Sequence, residues 1–207
     1  MQVQKDHTQE QILKAARDAF LTHGFTKTTM RDVAHGAGVG LSNIYNYFEN
    51  KEAIFRTLVQ PLIDELNHLA NAHHDLQYAD QFIDYLQGKG DDMLKSQTDD
   101  YLHLVRCYRD EMILLFFKAQ GSAFETFLDD FTDSCARQVI VFMKRFEEQH
   151  PNYTLSCSPF TYHLHTVWMF NLLCEVIKHD LSMTETEQVV RDFLRFEYIG
   201  WRDLINR

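Results

Sequence analysis

Proline is almost missing from this chain, with three in 207 residues, and glycine is sparse at eight. So little punctuation excludes a fold of many short strands and tight turns, and it predicts long uninterrupted helices. No window approaches the roughly 18 consecutive apolar residues that a membrane span needs. The longest apolar run, Met112–Phe117, has the length of a buried helix segment. The first residues, MQVQKDHTQEQ, lack an apolar leader, which predicts a cytoplasmic protein with no membrane partner. Cys107, Cys135, Cys157 and Cys174 stand far apart without a CxxC spacing. They predict free thiols, not a disulfide framework or a zinc site.

Catalytic signals are equally scarce. There is no G-x-S-x-G, no phosphate-binding loop and no dinucleotide fingerprint. His163 and His165 lie two residues apart, so on a helix their imidazoles leave from different faces, and the adjacent His73 and His74 are no better placed for a shared ion. Acidic pairs such as Asp91-Asp92, Asp99-Asp100 and Asp129-Asp130 read as solvated helix surface. The expectation is a protein that is not an enzyme and carries no cofactor or metal.

What is present suits a packed all-α protein, with 45% hydrophobic and 13% aromatic residues. The formal net charge is −10, but it is unevenly spread. Residues 1–60 hold seven Lys/Arg against six Asp/Glu, or +1, and residues 61–207 hold thirteen against twenty-four, or −11. The acidity belongs to the larger C-terminal part, and a near-neutral N-terminal segment remains compatible with local phosphate contact.

Helix signals begin with Thr8 and Gln11, spaced as a capping box, followed by Ile12, Ala16, Ala19 and Phe20 and a stop at Gly24. A second start is Thr29 with Asp32, ending near Gly36–Gly38, and a third helix spans about Leu41–Phe48 with Ile44 and Phe48 inward. Asn50 caps a fourth, running to about His73 through Pro61, where a kink or local break is expected, either a hinge or a static bend. Further helices are expected at Tyr78–Leu94, Thr98–Tyr108, Arg109–Ala119, Ser122–Gln149, Phe160–His179 and Thr184–Ile205, with a loop over EEQHPNYTLSCSP.

Helices two and three, joined across Ala37-Gly38-Val39, form a helix-turn-helix pattern. Ala34 and Ala37 permit close approach, Gly38 permits a left-handed corner, and Val39 and Ile44 fill the small core. With Ile44 and Phe48 inward, Ser42, Tyr45 and Asn46 face outward together and Leu41 leads the helix. Polar and aromatic groups on a helix held from behind suit the reading of a DNA major groove.

Phe20–Val59 resembles the TetR family of bacterial transcriptional regulators, through the G-F-x-x-T-T segment at Gly24–Thr29, the A-G-V turn, the Tyr45–Phe48 run and the N-K-E start of the fourth helix. Two positions depart from the pattern: Gly40, where the family has serine, and Leu41, where a polar residue is common. The resemblance implies an N-terminal three-helix DNA-binding domain over residues 1–50. A long fourth helix would join it to a helical effector-binding and dimerisation domain over 51–207. It implies phosphate contacts from Thr28, Thr29, Tyr47 and Lys51, and base-edge contacts from Leu41, Ser42, Tyr45 and Asn46. Implied partners are a double-stranded DNA operator, a second copy of the chain forming a homodimer, and an unidentified small-molecule effector. The implied activity is ligand-responsive transcriptional repression. The alternative is a ligand sensor or protein-interaction module with a degenerate helix-turn-helix.

In the C-terminal part, Tyr162, Met169, Leu172, Leu173 and Val176, with Val189, Phe193, Phe196 and Gly200, make the last two helices more apolar than a single amphipathic face needs. Pairing with a symmetry mate would bury that excess, as the resemblance implies. Tyr85, Tyr101, His103, Phe116, Phe117, Met143, His165 and Trp168 are candidates for an effector pocket. Spacing alone leaves open which of them line a pocket and which fill the core.

Overall fold

The computed structural model describes residues 2–72, 76–89, 91–153 and 157–205. These form ten α-helices: α1 Gln2–Lys27, α2 Met30–Ala37, α3 Leu41–Ile44, α4 Lys51–Ala72, α5 Leu76–Leu86, α6 Asp92–Cys107, α7 Arg109–Phe117, α8 Phe127–Gln149, α9 Pro159–Lys178 and α10 Met183–Ile205. The all-α expectation holds, and no described helix is long and apolar enough to cross a membrane. His73 and His74, and residues 154–156 of the expected loop, lie outside the described residues.

The chain forms two compact units, one of residues 1–65 with 109–128, the other of 66–108 with 129–207. This division differs from 1–50 and 51–207. The first two thirds of α4 and the whole α7 segment fold with the N-terminal helices, because their apolar residues complete that core.

In the first unit Ile12, Ala16 and Phe20 of α1 are fully buried with Val33 of α2, Ile44 of α3 and Ile54, Phe55 and Val59 of α4. Phe20, Phe25 and Phe55 form an aromatic cluster with ring centroids 5.2–5.8 Å apart. Phe124 extends it, 6.1 Å from Phe55. Thr8 is no cap, since α1 already begins at Gln2. Gly24 does interrupt α1, with φ 77° and ψ 167°, and one further turn follows to Lys27. The interruption frees Phe25 N–H to donate to Lys118 O at 2.9 Å. Thr26 adds a hydroxyl bond to Gln120 O. On the α7 side, Gly121 has φ 82°, and a Cβ there would meet Thr26 Oγ1 at 2.5 Å, so no larger residue fits. Arg17 reaches across from α1 to Glu111 at 2.8 Å. Glu52 accepts from Ala123 N–H at 3.1 Å.

Several expected boundaries move. α4 runs helical straight through Pro61, whose ring is exposed, so the expected break is absent. α5 stops at Leu86 because Gly88, at φ 70°, turns the chain; Gly88 N–H donates to Tyr85 O and Lys89 N–H to Asp84 O, each 2.9 Å. α6 then starts at Asp92, which places Thr98 inside it with its hydroxyl on Leu94 O at 2.7 Å. α7 ends at Phe117 and α8 begins only at Phe127, the turns between being set around Gly121.

The second unit is built on α6, which packs against α9 and α10. Its core joins Phe82, Tyr85, Met93, Phe146, Tyr162, Tyr198 and Trp201. Tyr162 and Trp201 stack with an interplanar angle of 3°.

Candidate nucleic-acid interface and interior cavity

The N-terminal site starts from Thr29, which closes α2 with a reciprocal cap. Its Oγ1 accepts from Asp32 N–H at 3.2 Å, and Asp32 Oδ2 accepts from Thr29 N–H at 2.8 Å and from the Thr29 hydroxyl at 2.7 Å. These bonds hold the Asp32 carboxyl below the usual carboxylate range, with smaller contributions from His23 and His35. At the other end Gly38 is left-handed, φ 66° and ψ 27°. Gly38 N–H donates to His35 O at 3.1 Å and Val39 N–H to Ala34 O at 3.0 Å, the paired bonds of a Schellman close. α1 and α2 also approach closely at Gly36, where a Cβ would stand 3.3 Å from the Ala15 Cβ. That role was not assigned to Gly36 from the sequence, because the residue opposite it belongs to another helix.

α3 is only Leu41–Ile44, shorter than Leu41–Phe48. Gly40 at its N-cap has no side chain to satisfy the first amides. Beyond Ile44 the chain tightens: Asn46 N–H donates to Asn43 O and Tyr47 N–H to Ile44 O, at 3.1 and 2.9 Å. The inward pair is as expected, Ile44 at 0% and Phe48 at 6% exposure. Ser42, Tyr45 and Asn46 are exposed together, and Leu41 and Tyr47 are half-buried at their edge. Asn46 Nδ2 lies 3.3 Å from Asn43 Oδ1, which braces the amide along the same short segment.

Two expected phosphate contacts are placed differently. Thr28 is 1% exposed, its hydroxyl 2.8 Å from Gly24 O and 3.2 Å from Ala19 O, so its side chain serves the interrupted end of α1. Lys51 turns its ammonium onto Phe25 O and Thr28 O, at 2.6 and 2.9 Å, and over the Phe25 ring at 4.1 Å. It thereby bonds two carbonyls at the end of α1, of which Phe25 O also accepts from Thr28 N–H at 3.3 Å, and partial burial pushes its pKa down against the opposing pull of Glu52. Asn50, by contrast, caps α4 as expected, its Oδ1 accepting from Ala53 N–H at 2.8 Å.

The second unit encloses a cavity of about 180 Å³. Of the eight expected pocket residues, Tyr101, Met143 and His165 line it. Tyr85 is core, its ring tilted by 43° against that of Tyr198 at 4.8 Å. His103 and Trp168 are exposed, and Phe116 and Phe117 belong to the other unit. The walls sequence reasoning missed include Phe131, Phe142, Phe170 and Leu194, apolar residues indistinguishable by spacing from ordinary core. The polar groups include Gln97, Asp100, Thr166, Tyr101, Tyr198 and Trp201, and His165 paired with Glu197, whose Nε2 and Oε2 stand 3.1 Å apart. Burial lowers the His165 pKa to about 4 and raises that of Glu197, while the Trp201 side chain, bonded to the carboxylate, opposes the second shift. His163 pairs instead with Asp133, at 3.4 Å.

Most of the expected dimer residues on α9 point inward. Tyr162, Leu172, Leu173 and Val176 are buried in the chain's own unit, and Met169 lines the cavity. Val189, Phe196 and Gly200 of α10 are exposed and Phe193 is half-buried. The exposed apolar stripe of α9 is Phe160, Leu164 and Trp168, at i, i+4 and i+8, and Ile199 joins Phe196 on α10.

Residues 12–58 match the family model for bacterial regulatory proteins of the tetR family. A Bacillus subtilis helix-turn-helix regulator, YfiR, is 32% identical over 115 residues, covering 52% of this chain and 55% of that protein. The regulator TtgR of Pseudomonas putida is 40% identical over 65 residues, 31% of each chain. The chain thus aligns with about half or less of these relatives' length. Among solved structures, the ketosteroid transcriptional regulator KstR2 of Mycobacterium tuberculosis has the same fold, with TM-score 0.59 at 14% identity over 93% of both chains. Over residues 12–58, which build the helix-turn-helix, the chain is similar to the tetR family of bacterial regulatory proteins.

Proposed function

We propose that the protein is a ligand-responsive transcriptional repressor that binds a pseudo-palindromic operator as a homodimer. Residues 1–50 read DNA, and residues 51–207 hold the effector and the dimer contacts. The observation that carries this reading is the exposed set Ser42, Tyr45 and Asn46, fixed from behind by Ile44 and Phe48 and aimed by the Gly38 corner. Asn46 offers a donor and an acceptor to adenine, and Leu41 an apolar edge to a thymine methyl. Thr29, Tyr47 and the remaining N–H of Lys51 serve the phosphates, an ammonium having three donors of which two are engaged. The side chain of Thr28 has no part in it.

The dimer contact proposed is the exposed stripe of Phe160, Leu164 and Trp168 with Val189, Phe193, Phe196, Ile199 and Gly200. Such an apolar surface favours burial against its own copy as a four-helix arrangement. The cavity is the proposed effector site, and its occupation lowers operator affinity. The effector's own affinity then falls by the same factor on the operator. The intact cap and corner favour this reading over a degenerate helix-turn-helix. Enrichment of duplexes from a random pool on the purified protein tests it. An inverted repeat is expected to emerge; a pool with no enriched sequence contradicts the proposal.

A further inference from the structure

The cavity's charge points to the kind of molecule it takes. None of its lining residues is Lys or Arg, whereas two carboxylates, Asp100 and Glu197, are among them. The remaining wall is mostly apolar and rich in aromatic rings, and its other polar residues, Gln97, Tyr101, His165, Thr166 and Tyr198 among them, carry no permanent charge. An anionic ligand in this space would meet like charges and no ammonium or guanidinium, in surroundings that screen poorly. A cation would meet a carboxylate and a wall rich in aromatic rings, both of which attract it. Glu197 is built in: it is 6% exposed, 3.1 Å from His165 Nε2, and bonded by Trp201, whose ring lies 5.1 Å from that of His165. The volume, about 180 Å³, slightly exceeds the ~150 Å³ of a cavity that takes benzene. That sets the scale at a ring with a short substituent.

We propose that the ligand is a hydrophobic monocation, an aromatic-sized body carrying one quaternary or protonated nitrogen, with Glu197 as its buried counter-ion. His165 and Trp201 are positioning residues that hold the carboxylate toward the cavity. On entry of a quaternary ligand, Glu197 stands ionised against it, and any proton it carried passes to solvent. The inference rests on the reading of the cavity as the effector site.

Three probes of matched size test it on the full-length protein by ligand-detected NMR titration: benzyltrimethylammonium, its carbon isostere neopentylbenzene, and the anion 3-phenylpropanoate. The expected result is at least tenfold tighter binding of the ammonium than of neopentylbenzene, with no saturable binding of the anion. Glu197→Gln keeps neopentylbenzene binding within about twofold, which reports an intact cavity, and erases the preference for the cation. Equal or tighter binding of the neutral isostere, saturable binding of the anion, no binding of any probe, or an unchanged preference in Glu197→Gln each overturns the proposal. Operator retention is measured separately. An ammonium that binds without weakening operator affinity contradicts the regulatory reading and leaves the ligand class standing.

Discussion

Lys51 shows how one side chain can be spent on architecture at a position that invites a DNA role. Its ammonium bonds two carbonyls, Phe25 O and Thr28 O, at the end of α1 beyond the interruption at Gly24. Lys51→Met keeps the aliphatic stem and removes the charge. It is expected to cost about 1–2 kcal/mol of stability, read by urea unfolding, since bonds to a charged donor are strong but this one is partly solvated. A change below the error of the titration would contradict the assignment. Burial also separates the thiols. Cys135 and Cys174 have pKa values pushed up to about 11, so at pH 8 only about one in a thousand is thiolate. Cys107 is exposed. Labelling the folded protein with a disulfide reagent is expected to show a fast phase that Cys107→Ser removes; fast labelling of Cys135 or Cys174 would contradict the core packing. Which residues fill these roles was partly legible in the chain alone. Thr29, Asn50 and Gly38 were, because caps and corners depend on neighbours three to five residues away. Thr28 and Lys51 were not, because the Thr28 hydroxyl reaches back past Gly24 to Ala19 O and Lys51 reaches carbonyls more than twenty residues away, contacts that only the fold brings together.

Helix faces divide along the same line. α2 and α3 present one apolar side each, so the outward set Ser42, Tyr45 and Asn46 follows from placing Ile44 and Phe48 inward. Gly38→Ala tests the corner cleanly, since an added methyl meets nothing within 4 Å and only the left-handed backbone is penalised. A loss of about 1 kcal/mol is expected in thermal or urea unfolding, and no loss would mean that the corner tolerates an ordinary residue. α9 is apolar nearly all round, and there periodicity could not say which face meets the chain's own core and which stays outside. The inward face took Tyr162, Leu172, Leu173 and Val176, and the outward one kept Phe160, Leu164 and Trp168. Phe196 on α10 is 72% exposed and contributes nothing to the interior. Phe196→Asp should therefore leave the unfolding midpoint nearly unchanged and weaken self-association at least 100-fold in sedimentation equilibrium, the size expected for a central aromatic anchor. A dimer of undiminished strength would place the interface elsewhere.

Across the whole molecule, charge and chemistry are segregated. The residues that would meet a polyanion lie in a segment of net charge +1, while the remainder carries −11 and holds a cavity whose carboxylates are Asp100 and Glu197. Phosphate contacts from so few cations predict a shallow salt dependence, so discrimination between sequences must come from base edges. The measurement that tests this most directly is fluorescence anisotropy of the dimer on its selected inverted repeat and on a scrambled duplex, for the natural protein and for Tyr45→Ala/Asn46→Ala. The account predicts a preference of at least about 10³ for the selected duplex, collapsing to near unity in the double variant with the salt slope unaltered. A double variant that still distinguishes the two duplexes as well as the natural protein would contradict the claim that the outward set at the end of α3, Tyr45 and Asn46, reads DNA.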